Sequence, residues 1–210
     1  MDHDNKLPGF IASSSIPSLM PLALPFIESE RCIVRLLANG EENAAIDFYG
    51  SNKEHFAPWG PVWPGNFLTV EFWTAQIQKN REEFERDISA RMFVFERDNP
   101  LPVGNVSLSG ILRGAAQFCY LGYGLAKAKE GQGYMHEVLV ETIKFAFNDM
   151  NLHRLMANYI PANDRSAKVL QRLGFVEEGF AREYLYLAGK WQDHIMTSLT
   201  NQNWQPQLPQ

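Results

Sequence analysis

The stretch Leu121-Gly-Tyr-Gly-Leu-Ala-Lys-Ala-Lys-Glu-Gly-Gln-Gly-Tyr-Met135 constrains the fold more than any other. It reads as the end of a strand, a glycine-bearing turn and the start of a helix. The strand Cys119–Leu125 carries Gly122 and Gly124, and glycine inside a strand marks a bulge or a close approach by a ligand or another backbone. After Gly131-Gln-Gly133 an amphipathic run begins, with Met135, Val138, Leu139, Thr142, Ile143 and Ala146 on one face. A turn without side chains at a helix start presents unpaired amides and the positive end of the helix dipole, which together suit phosphate. Glycine also serves turn geometry alone, so the rest of the chain must decide.

With 210 residues, 45% of them hydrophobic and 20% charged, the chain has the size and composition of one globular domain. A net charge of −5 and a pI near 5.6 argue against nucleic-acid binding. That balance suits a cationic partner or a solvated acidic face. Cys32 and Cys119 lie in apolar, strand-like surroundings. They read as buried free thiols of a reducing compartment, with a single disulfide as the alternative. No Cys/His spacing calls for a metal, and no apolar run is long enough to cross a membrane. Phe10–Ile27 imitates a signal peptide, but Asp2 and Asp4 outnumber Lys6 before it, Pro8 precedes it and Pro17, Pro21 and Pro25 interrupt it. The expected location is the cytoplasm.

Residues 1–26 read as an irregular, proline-rich arm and 27–210 as the folded domain. A strand is expected at Glu30–Leu37, a helix from Asn39 to Tyr49, and a second helix over Val70–Arg86 with Thr69 as its N-cap. Between them, His55-Phe-Ala-Pro-Trp-Gly-Pro-Val-Trp-Pro-Gly-Asn66 forms a rigid aromatic loop. It serves either as a cap on the core or as one wall of a substrate groove. The period then becomes alternating: Arg91–Arg97, Leu101–Ile111 and Gln117–Leu125 make an antiparallel meander. The helix to Met150 and the strand His153–Ile160 complete a strand–helix–strand unit, which implies parallel pairing. A short helix Ala167–Leu173 ends at Gly174, and Phe180–Leu187 with Lys190–Leu199 forms a closing hairpin around Ala188-Gly189. The fold class is α/β, a mixed, mostly antiparallel sheet of about seven strands flanked by helices in a single domain.

The order of elements and a set of segments resemble the GNAT superfamily of acetyl-CoA-dependent N-acetyltransferases. Within it the likeness is to the RimJ/RimL type, the ribosomal-protein N-terminal alanine acetyltransferases, on its RimJ side. The segments are Cys119–Gly124, Gly131–Met135, His153–Asn163, Arg165-Ser166, Leu170–Phe175 with Glu178-Gly179, and Gly189–His194. The resemblance runs from about Glu30 to the C-terminus. It implies that the fourth and fifth strands splay and that the pantetheine arm of acetyl-CoA lies between them, with the thioester against Tyr123, Gly124 and Leu125. It gives Gly122 and Gly124 a reason, since the thioester would lie on the bare strand. It places the pyrophosphate on amides of Lys129, Gly131, Gln132, Gly133, Tyr134 and Met135, and the pantetheine amides near Asn163. One departure stands out. The family pattern has Gln or Arg where this chain has Ala128, and Glu130 sits inside the turn. Glu130 is expected to point to solvent, with Lys127 or Lys129 compensating its charge.

The transfer needs a neutral amine, an oxyanion donor and a proton for the leaving thiolate. An α-amine titrates near ~7.7–8.0 and a lysine near ~10.4, so an N-terminal acceptor needs only a modest base. Orientation supplies much of the rest, up to ~7–11 kcal/mol. The catalytic candidates are the Leu125 amide as oxyanion donor, Ser166 for the thiolate, and Glu183, with Tyr184 beside it, as base. The resemblance supplies the serine. Ser166 and Asn163 also read as helix-cap residues, and Glu183 also reads as a solvated strand carboxylate. Asp193-His194 are adjacent on a strand, hence on opposite faces, and are taken as structural. His3, His55, His136 and His153 show no nucleophile or metal pattern. The expected co-substrate is acetyl-CoA, with no metal, and the expected acceptor is the N-terminus of a basic ribosomal protein. Direct DNA binding and membrane contact are not expected, and the oligomer is left between monomer and homodimer. The alternatives are acetylation of a small amine and a catalytically silent CoA-binding ribosome-assembly factor. A dinucleotide-binding domain is a poorer third, because His136 occupies the last glycine position of G-x-G-x-x-G.

Overall fold

A computed structural model describes residues 24–206. Its elements are β1 (Phe26–Glu28), β2 (Cys32–Arg35), α1 (Glu42–Ser51), α2 (Lys53–Phe56), α3 (Val70–Glu85), β3 (Ser89–Glu96), β4 (Pro102–Leu112) and β5 (Phe118–Leu125). There follow α4 (Tyr134–Lys144), continued by a π-helical turn to Asp149, then β6 (Arg154–Met156), α5 (Asp164–Arg172), β7 (Val176–Leu187) and β8 (Lys190–Thr200). The strands form one eight-stranded sheet in the order β1-β2-β3-β4-β5-β6-β8-β7. The extra strand arises at the start. A turn closed by Ser29 N donating to Cys32 O trims the expected first strand to Cys32–Arg35, and the residues before it, Phe26–Glu28, fold back as its hairpin partner, Phe26 on Arg35. The expected arm lies outside the described residues up to position 23.

Alternation along β3 builds two cores on the two faces of the sheet. Met92 and Val94 join Val106, Leu108, Leu121, Val138, Leu139 and Leu155 on the face covered by α4. Phe93 and Phe95 turn the other way, onto Ala45, Phe48, Trp73 and Ile77 of α1 and α3. There Trp73 stacks on Tyr49 at 5.4 Å between ring centroids, with Phe93 edge-on at 5.9 Å. Thr69 caps α3, its hydroxyl accepting from Phe72 N. Cys32 and Cys119 are buried and free. Burial pushes their thiols up to about 11 and about 12, which leaves them protonated packing groups rather than nucleophiles.

The sheet is mostly antiparallel, with β5 and β6 as its parallel pair. They pair at Phe118–Arg154, Cys119–Leu155 and Tyr120–Met156 and no further, while β5 runs on to Leu125. The chain beyond β6 leans instead on β8 through the Tyr159–Ile195 bridge. The splay opens a gap in the middle of the sheet.

Candidate active site

The gap is part of a cleft of ≈ 1120 Å³ that passes from the α4–α5 face to the aromatic face of the sheet. The ladder on the closed side of β5 fixes what β5 offers to it. Ala126 N donates to Val103 O at 2.8 Å, and the register pairs Leu125 with Gly104 and Tyr123 with Val106. Residues of an antiparallel strand alternate in the side to which they bond. The amides and carbonyls of Tyr123 and Leu125 therefore point into the gap. The Leu125 carbonyl there accepts from His55 Nε2 at 3.1 Å.

On the helix face, Gly131 (φ +73°) and Gly133 (φ +82°) adopt left-handed conformations that L side chains disfavour. Gly133 stands at the N-cap of α4 with no side-chain cap. Among the described residues, nothing accepts from the amides of Gly131, Gln132 or Gly133, and the first-turn amides of Tyr134 and Met135 are unpaired by the geometry of any helix start. Arg31 braces the turn, donating to Gln132 O at 3.1 Å and to Glu137 at 2.6 Å. Burial would raise the Glu137 carboxyl, but bonds from the Arg31 amide, Ser29 and the guanidinium hold it below the usual range. The cradle is narrower than expected. Lys129 is not part of it, since its amide donates to Ala126 O and its ammonium to Glu96 at 2.6 Å. The Gln132 side chain folds back onto Ala128 O.

Glu130 is a second correction. Its carboxylate is mostly covered and meets Arg165 at 2.9 Å and His55 at 3.5 Å. Lys129 takes Glu96 instead, so the turn's negative charge is compensated by Arg165 of α5. Beside it, Asn163 caps α5 by accepting from Ser166 N at 3.1 Å. Ser166 Oγ lies 2.8 Å from the Tyr123 hydroxyl, and burial raises that phenol to about 12. Tyr123, Gly124, Leu125, Gly131, Gly133, Tyr134, Met135, Asn163 and Ser166 thus share one cleft.

The other face of β5 differs. A Cβ at Gly122 would meet Ser107 Oγ at 2.8 Å, and one at Gly124 would meet Phe56 and Asn105 at 3.3 Å. These glycines admit neighbouring side chains of β4 and α2, which is a different reason from the open groove expected. His55, Phe56 and Trp59 line the cleft, so the aromatic loop does form a wall. Its Phe56 and Trp59 also border a smaller cavity of ≈ 480 Å³, together with Tyr49, Trp63, Trp73, Asn105 and Gly124. Glu183 does not reach the cleft. The β7–β8 register slips between Ala181 and Leu185, and Glu183 sits in that bulge at φ +45° with its side chain exposed. Its amide is held by Asp193 Oδ1 at 2.8 Å. The bulge turns Tyr184 inward, edge-on to a buried His194 at 5.4 Å, and both line the cleft. The sequence names His55 only as the start of the aromatic loop and Tyr184 only beside Glu183, and the structural role expected of His194 does not foresee its place in the cleft.

A sheet with this order, opened between a parallel pair and backed by a glycine turn at a helix start, defines an acyl-CoA-type transferase. Residues 31–176 match the acetyltransferase (GNAT) domain family, and the chain belongs to that family. It is 35% identical over 181 residues to the [ribosomal protein uS5]-alanine N-acetyltransferase of Escherichia coli, covering 86% of this chain and 93% of that one. A probable N-acetyltransferase of Bacillus subtilis, YjcK, is 32% identical over 79% of this chain and 90% of its own. The crystal structure of the ribosomal-protein-S5-alanine acetyltransferase of Vibrio fischeri superposes with a TM-score of 0.83 at 37% identity, over 87% of this chain and all (100%) of that one. RimJ of Mycobacterium smegmatis, solved with a CoA disulfide, shares the fold with a TM-score of 0.77 at 23% identity, over 84% of this chain and 86% of that one. The chain is therefore a GNAT N-acetyltransferase with acetyl-CoA as its co-substrate. Among the described residues no cluster of His, Cys, Asp and Glu could hold a metal, and no helix is long and apolar enough to cross a membrane.

Proposed function

We propose that this enzyme transfers the acetyl group of acetyl-CoA to the N-terminal α-amine of a ribosomal protein, with alanine as the first residue. The observation that carries the reading is the edge Tyr123–Leu125, which lies beyond the last rung of the β5–β6 ladder. It faces a gap that has a phosphate-type turn at one mouth and an aromatic wall at the other. The relative of 35% identity bears that substrate in its name, and a net charge of −5 suits a basic partner. An acceptor of this kind puts the reaction in the cytoplasm.

In this mechanism the amides of Gly131 to Met135 take the pyrophosphate, with the helix dipole aiding. The Leu125 N–H polarises the thioester carbonyl and receives the developing oxyanion. The amine nitrogen forms its bond to the acetyl carbon from the aromatic face as the C–S bond breaks. Ser166, bonded to a neutral Tyr123, gives the departing thiolate its proton. Asn163 keeps α5, and Ser166 with it, at the cleft.

Acetyl-CoA incubated with a synthetic peptide copying a ribosomal protein N-terminus, alanine first, should yield free thiol and one acetyl group on the α-amine by mass spectrometry. The same peptide with a blocked α-amine and an internal lysine should stay unmodified. Acetylation confined to spermidine or another small amine, or CoA binding without turnover on any amine, would overturn the acceptor.

A further inference from the structure

We propose that His194 is the general base that takes the proton from the acceptor amine. The inference rests on the reading above only in placing the thioester at Tyr123–Leu125; it holds for any amine that enters from the aromatic face.

The register across the gap gives its position. β5 and β6 pair at a constant offset, Phe118 with Arg154 through Tyr120 with Met156. Carried up the sheet, this brings position 160 to the level of Gly124. β6 and β8 pair Arg154 with Thr200 through Met156 with Ser198, and the Tyr159–Ile195 bridge keeps the same register. His194 therefore stands opposite Ile160 and at the level of Gly124, on the strand behind the 157–160 segment that forms the far side of the gap, and it lines the cleft. Parity gives its face. Residues in register share a face, so His194 lies on the side of the missing Gly124 Cβ, the side of Phe56. Ser166 and Tyr123 lie on the opposite side. Acid and base thus flank the reacting carbon from the two faces of one sheet.

The ring's hydrogen bonding gives its chemistry. Nδ1 lies 3.1 Å from the Gln192 carbonyl oxygen, which can only accept, so Nδ1 carries the proton. In the neutral ring Nε2 then keeps its lone pair. Among the described residues it has no protein partner, and it is not sealed from solvent. The residue is 2% exposed and lines the cleft, so that small opening is onto the cleft. The ring is fixed edge-on by Tyr184 of β7, itself beside Tyr120 of β5 and Asn158. Burial raises the Tyr184 phenol, which keeps it neutral. No carboxylate or cation of the described residues bonds to the ring; Asp193 is turned to the Glu183 amide. In the step, the amine nitrogen bonds to the acetyl carbon, its proton passes to Nε2, and the thiolate takes a proton from Ser166. Water returns both groups to their starting state. Imidazole is the side-chain base whose ordinary range adjoins that of an α-amine and falls far below that of lysine.

The test compares wild type with His194→Gln at saturating acetyl-CoA, using the alanine peptide first and spermidine second. H194Q should lower kcat/KM for the amine by about 10²-fold, with CoA affinity by calorimetry unchanged within about twofold. Below neutrality, log(kcat/KM) should fall with a slope of about two per pH unit in wild type, one for the amine and one for the ring, and about one in H194Q. His194→Asn, a smaller replacement, carries the same test should the glutamine variant misfold. Turnover within about threefold of wild type, with the pH slope unchanged, overturns the assignment while leaving the acetyltransferase reading intact. Wild type inert on every amine overturns that reading, and this proposal with it.

Discussion

The two faces of β5 do opposite kinds of work. On the helix face, the proposed function draws mainly on the backbone, the amides of a glycine turn and the start of α4, with one side-chain pair, Ser166 and Tyr123. On the aromatic face it draws on cleft-lining side chains that four separate segments deliver, Phe56 from α2, Tyr120 from β5, Tyr184 from β7 and His194 from β8. A backbone site tolerates many sequences provided that the turn keeps its glycines. A side-chain site depends on register, because one slipped residue exchanges what faces the cleft for what faces water.

Kinetics can separate the faces. The largest effect is expected for Ser166→Ala, which should lower kcat by about 10²-fold and leave both KM values near wild type. A loss below about threefold would move thiolate protonation to Tyr123 alone. Gly133→Ala places a Cβ at φ +82°, costing roughly 1–2 kcal/mol. It should raise KM for acetyl-CoA by about tenfold and leave the acceptor KM unchanged. Phe56→Leu should do the reverse, raising acceptor KM by about threefold to tenfold without affecting acetyl-CoA. If both variants shift both constants alike, the faces are not separate. Glu183→Gln, exposed on the bulge, should stay within about twofold by every measure.

The helix face was legible in the sequence because its chemistry is the chemistry of its own residues. Gly131 and Gly133 are adjacent in sequence to the helix they start, and Thr69 and Asn163 likewise cap the helices that follow them. The same locality made the meander and the crossover readable. Glu130 was misread because its partners, Arg165 and His55, lie on elements that only the fold brings together. Glu183 was misread for a subtler reason. Strand alternation through an unbroken β7 would have sent its side chain and that of Tyr184 to the opposite faces from those they take. The bulge held by Asp193 inverts that assignment, and nothing in Ala181–Leu185 announces it. The adjacent Asp193-His194 pair does divide between two faces as alternation requires; what the sequence did not disclose was that the histidine's face is the cleft.

The short seam between β5 and β6 has a further consequence. With three paired residues, it leaves β1–β5 and β6–β8 as two rafts moored side by side, each with an unmated edge toward the other. Whatever lies along Tyr123–Leu125 stands where the absent rungs would have been. With acetyl-CoA along that edge, as proposed above, the co-substrate would complete the protein at its midline and supply part of its cohesion from outside the chain. CoA at 100 times its Kd should stabilise the fold by about 2.7 kcal/mol. In hydrogen exchange, that gain should concentrate in the outward amides of Tyr123 and Leu125 and fade toward β1, so that loading the enzyme sutures it.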